Sequence, residues 1–215
     1  RYHIDLGVVV SLSDQQQNNF KLIRDDITDP ITGEVPAADV QIRAGLDLLL
    51  GDAGLSFVVM QIGTSEFTKP TDAEVLGWLE VATTHTKQQH PDKTLDAWIH
   101  IFCGLEDEQG GYFYHLPEQA DDTLGAWVHT TMFYTLEDPA PVYDCEDFTH
   151  QLDFMSRVDS QTRSQTFFPE SAWWLGFDNN LPLALPITGW SRAKDITKVL
   201  SDHRVEGHVT FTTGR

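Results

Sequence analysis

Apolar residues in this chain follow two alternating patterns. In one they form short continuous runs, and in the other they recur every three or four positions. Short runs rich in β-branched residues predict buried strands, and the three-to-four spacing predicts helices with one inward face. Asp5 to Leu12 (DLGVVVSL) is the first run. Turn signals follow at Asp25-Asp26, Asp29-Pro30 and Thr32-Gly33. Pro36 to Leu50 then reads as a helix with Val40, Leu46, Leu49 and Leu50 inward and Gly51 as its stop. Leu55 to Gly63 (LSFVVMQIG) is the second strand pattern. Thr71-Asp72-Ala73-Glu74 is a capping box, because a Thr oxygen and a Glu three residues on can each satisfy the other's backbone N–H. It predicts a helix to about Gln89, with Val75, Leu76, Trp78, Leu79 and Ala82 inward and Pro91 as its terminator.

The alternation continues to the end of the chain. Leu95 to Gly104 and Ala126 to Leu136 read as strands, separated by a glycine- and acid-rich loop from Glu106 to Asp122. Asp144 to about Asp159 reads as a helix with Phe148, Leu152, Met155 and Val158 as its stripe. Gln165 to Phe168 is a short strand, Ser191 to Ser201 a helix, and Gly207 to Thr213 a last strand. Strands that alternate with helices at crossover length predict an α/β fold with a mostly parallel sheet. A (β/α) barrel or part of one, in a single domain over residues 1–215, is the expectation. The pattern ends at Arg215 directly after a strand. The expectation is therefore the front part of a longer protein, or one piece of a processed one, with an oligomer or a further domain C-terminal to Arg215 as its partner.

Composition narrows the partners. The net charge is −19, from 33 acidic and 14 basic residues, so nucleic acid and anionic membrane surfaces are repelled. No run approaches the roughly 18 apolar residues of a membrane span. The two cysteines are too few for a disulfide framework. Cys103 falls inside an apolar strand pattern, where a buried free thiol is the expected state.

Candidate chemistry centres on Thr166 to Trp174, where an apolar aromatic run ends in Glu170 and Trp173-Trp174 follow at once. A carboxylate at the end of a buried strand is costly without a partner or a task. The carboxyl ends of parallel strands are where catalytic groups sit. Tryptophans offer faces on which sugar rings stack, and Asp178, in Phe177-Asp178-Asn179-Asn180, can bond sugar hydroxyls. Hydrolysis of a glycosidic bond needs a second carboxylate. Glu66 follows the second strand pattern and is preferred, with Glu137 and Asp138 in reserve. Asp5 stands at the opposite end of its strand. His115, in the aromatic loop Gly110 to Pro117, is expected to cover the substrate. His100 and His129, within the third and fourth strand patterns, are expected to face it.

The run Pro169-Glu170-Ser171-Ala172-Trp173 resembles the nucleophile motif of some (β/α)-barrel glycoside hydrolases, closest to α-glycosidases with an incomplete barrel of seven strands. The resemblance implies a glycoside hydrolase with a carbohydrate substrate; from the motifs, no cofactor or metal is expected. That family's histidine pair near the first strand has only His3 and Asp5 as counterparts here. Two other readings stand beside it. One is a metal-dependent hydrolase built from His100, His129 and Glu66 or Glu170. The other is a non-catalytic carbohydrate-binding or structural chain. No G-x-G-x-x-G, P-loop, H-E-x-x-H or G-x-S-x-G motif is present, so nucleotide cofactors and serine chemistry are not expected.

Overall fold

The computed structural model describes residues 4–13, 20–62, 70–99, 103–130, 135–137, 139, 144–169 and 185–209, with the side chains at 99 and 185–188 set aside. The chain divides into two compact units, Arg1–His100 with Leu105–Gly125, and Ile101–Gly104 with Ala126–Arg215.

The first unit is a parallel sheet with helices in its crossovers. β1 (Gly7–Ser11), β2 (Phe57–Gln61) and β3 (Thr94–Ile99) pair in chain order, Val9 opposite Val59 and Val59 opposite Asp96. Val58, Val59, Met60 and Ile62 are fully buried, as a strand covered on both faces requires. Each such side chain contributes about 1.5–3 kcal/mol by leaving water. The second unit holds β4 (Gly125–Thr130, from Ala126 onward), β5 (Gln165–Pro169) and β6 (Gly207–His208), again parallel and in chain order. Six parallel strands, with no reversal of order inside either unit, give the α/β fold expected for a (β/α) barrel or part of one.

The helices differ from expectation in instructive places. α1 (Ala38–Leu46) runs on into a π-helical turn, Asp47–Asp52, in which the Ala53 amide bonds the Leu48 carbonyl at 2.8 Å. The stop is Gly54, at φ 67°, and not Gly51. Val40 faces solvent, and Gln41 is buried in its place. The Gln41 amide accepts from the Arg24 N–H at 2.8 Å and donates to the carbonyls of Arg24 and Pro36 at 2.9 and 2.8 Å. A buried polar residue thus satisfies backbone groups that no helix or sheet serves.

α2 (Asp72–Gln89) begins at the expected capping box. The Thr71 hydroxyl accepts from the Glu74 amide at 3.2 Å, and the Glu74 carboxylate accepts from the Thr71 amide at 2.9 Å. Val75, Leu79 and Ala82 are buried, while Leu76 and Trp78 are half-buried. The loop after β3 contains a short 3-10 turn, Phe113–Gln119, with Phe113, Tyr114, Leu116 and Pro117 buried. In the second unit α3 (Thr149–Asp159) buries Phe154, Met155 and Val158, and α4 (Leu185–Asp202) is longer than its sequence pattern.

Cys103 and Cys145 form a disulfide with Cα atoms 4.9 Å apart, which overturns the free thiol expected of Cys103. The strand pattern from Leu95 to Gly104 is cut short: β3 ends at Ile99, and Cys103 sits in a bend. There its sulfur reaches the segment ahead of α3.

Candidate functional site

Two regions of the first unit carry polar side chains that its packing alone does not explain. The first is the carboxyl end of the sheet. Ser11 closes β1, Gln61 closes β2, and Trp98 lies one residue before the end of β3. Ser11 is in register with Gln61, and Gln61 with Trp98. Register partners of parallel strands project to one face, so these three side chains form a row. All are buried, and the Ser11 hydroxyl has no hydrogen-bond partner among the described residues. In the second unit Thr130 closes β4 opposite Pro169 of β5, and its buried hydroxyl is likewise without a partner among the described residues. Buried hydroxyls without partners are uncommon.

The expected site residues fall unevenly on the structure. Glu170, Glu66, Trp173, Trp174, Asp178, His100 and Asp138 lie outside the described residues. His129 is buried in β4, with its ring stacked on its register partner Phe168 at a centroid distance of 4.7 Å. His115 is half-buried in the 3-10 turn, with Tyr112 and Tyr114 edge-on to its ring at 5.7 and 6.2 Å. Four of this loop's apolar residues pack inward, so much of it plugs the first unit. Glu137 is exposed and pairs with Lys194 at 2.7 Å. Asp5 accepts from the Ser56 hydroxyl at 3.2 Å, at the amino end of the sheet.

The second region is at that amino end, and no sequence motif announced it. Asp47 opens the π-helical turn, His85 lies just before the last turn of α2, and His90 is its C-cap. The Nε2 atoms of His85 and His90 stand 2.7 and 2.8 Å from the same Asp47 oxygen, Oδ1. The imidazoles are largely buried, at 9% and 13% side-chain exposure, while Asp47 is 54% exposed. Their rings meet edge to face at 5.9 Å. Hydrogen bonds from His90 and His85 hold the Asp47 carboxyl below its usual range, so it is anionic at neutral pH. One ligand atom from each residue lies within 4.8 Å of the others, and among the described residues this is the cluster whose donor types and spacing suit a metal ion. His129 belongs to no such group among the described residues.

None of the described helices is long and apolar enough to cross a membrane. Comparison with known proteins gives no family model, curated protein or solved structure that matches the chain.

Proposed function

We propose that this chain is a glycoside hydrolase working at the carboxyl ends of its parallel strands, with Glu170 as one catalytic carboxylate and Glu66 as the other. The observation that carries the reading is β5. It is a parallel strand ending in buried Phe167, Phe168 and Pro169, and Glu170 is the next residue in the chain. Parallel α/β sheets bind substrates beyond the carboxyl ends of their strands. Within each unit taken by itself, a strand-end hydroxyl without a partner among the described residues, Ser11 in the first and Thr130 in the second, gives further support, since a polar ligand supplies partners for such groups. The disulfide suits an oxidising compartment, where extracellular glycans are met.

In this mechanism one glutamate protonates the departing glycosidic oxygen. The other attacks the anomeric carbon or activates water against it. Trp173 and Trp174 stack on the sugar, Asp178 bonds its hydroxyls, and His115, His100 and His129 shape the surroundings. The test is turnover of the full-length protein on a panel of aryl glycosides and polysaccharides, comparing Glu170→Gln and Glu66→Gln with the exposed control Glu80→Gln. Each catalytic change is expected to lower kcat/KM by roughly 10³-fold or more, and the control to leave it unchanged. Full activity in Glu170→Gln overturns the assignment. Glycan binding without turnover in the unaltered protein replaces it with a carbohydrate-binding role.

A further inference from the structure

We propose that Asp47, His85 and His90 form a binding site for a divalent ion of the zinc class, which ties the end of α1 to the end of α2. The donor set is two imidazole nitrogens and one carboxylate oxygen, the three-ligand arrangement that zinc takes when water completes its shell. Imidazole selects zinc, copper, nickel or iron over calcium and magnesium, which prefer all-oxygen shells.

Three features set the cluster apart from an ordinary ion pair. Both imidazoles converge on one oxygen, although Oδ2 of Asp47 accepts no hydrogen bond among the described residues. Two donors crowd a single acceptor, whereas an ion between them accepts a lone pair from each of the three groups. The two Nε2–Oδ1 separations of 2.7 and 2.8 Å stand just below the roughly 3.3 Å that tetrahedral ligation at about 2.0–2.1 Å sets, and all three donor atoms lie within 4.8 Å of one another. The ligands are also unequally exposed. The two rings are largely buried, and the open side is the Asp47 side, where solvent or an incoming ion arrives. Finally, Asp47 stands where an α-helix changes to a π-helical turn. That irregularity is costly and is usually kept where a side chain must be aimed.

The position also separates this site from the proposed catalytic end. α1 and its π-helical turn lead into the start of β2, and α2 leads into the start of β3, so the cluster lies where these strands begin. Residues at that end of a parallel sheet serve stability. An ion bound only by the folded chain raises stability by mass action, so the ion acts here as a clamp.

Calorimetric titration of the full-length protein with zinc chloride in a non-chelating buffer tests the proposal. One ion per chain is expected at this site, with affinity lowered by about a hundredfold or more in His90→Ala and in Asp47→Asn. The exposed control His208→Ala should bind as the unaltered protein does. Zinc should raise the thermal midpoint of the unaltered protein, EDTA should reverse the rise, and Asp47→Asn should show none of it. The asparagine retains an acceptor for both imidazoles, so this variant separates metal binding from the hydrogen-bonded clamp. Absence of saturable binding, or equal affinity in all four proteins, overturns the site. Should a variant fail to fold, X-ray absorption of the zinc-loaded unaltered protein decides. Two imidazoles and a carboxylate support the site, and a shell without imidazole refutes it.

Discussion

Gly7 shows how tightly a single position can be specified. It opens β1 opposite Phe57 of β2, and a Cβ placed on it would lie 2.3 Å from the Phe57 ring. The ring occupies the space that any other residue's side chain would need. Gly7→Ala is therefore expected to cost about 1–3 kcal/mol, because the half-buried Phe57 ring must shift. In a Phe57→Ala background the obstacle is gone, and the same change should be neutral or stabilising by about 0.5–1 kcal/mol, since alanine gives up less backbone freedom on folding. Urea denaturation of the four proteins measures the coupling. Equal costs in both backgrounds would mean that the ring is not the reason for the glycine.

Among the elements, the Cys103–Cys145 disulfide makes the largest testable contribution. It joins positions 42 residues apart, and closing a loop of that length removes roughly 4 kcal/mol of freedom from the unfolded chain. The Cys103→Ser/Cys145→Ser double variant, or the protein under reductant, should unfold at clearly lower denaturant than the oxidised protein; an unchanged midpoint would contradict this. The same elements show what could be read in advance. The strands around Val58 and Phe167 and the helix behind Thr71 were legible because their signals are local: a buried run, or a cap with its partner three residues on. The disulfide was not, since pairing depends on where a bend carries Cys103 after β3 ends. The π-helical turn was also hidden, because its i to i+5 bonding leaves no mark in residue type. The Asp47 cluster was hidden by geometry. His85 and His90 are five positions apart, about 140° around an ideal helix, and share no face. His90 leaves the helix at φ −134° and ψ 56°, and that break lets both rings reach one carboxylate. The carboxylates expected from the sequence, Glu66 and Glu170, lie outside the described residues.

For the molecule as a whole, charge is the strongest influence beyond packing. At −19 the chain repels itself, and the folded form holds those charges closer together than the unfolded form does. Raising salt from about 0.01 M to about 1 M shortens the screening length from about 30 to about 3 Å. The thermal midpoint at neutral pH should therefore rise with sodium chloride. A fall would show that local ion pairs such as Lys87–Asp121 and Lys194–Glu137 outweigh the general repulsion. The order of the strands has a consequence in time. β1 pairs with β2 and β2 with β3, so no strand of the first unit waits for a partner from the far end of the chain. A polypeptide emerging from the ribosome amino end first can add each strand to an edge already present. Assembly of this unit can therefore keep pace with synthesis, and little apolar sheet need stand uncovered while the rest is made.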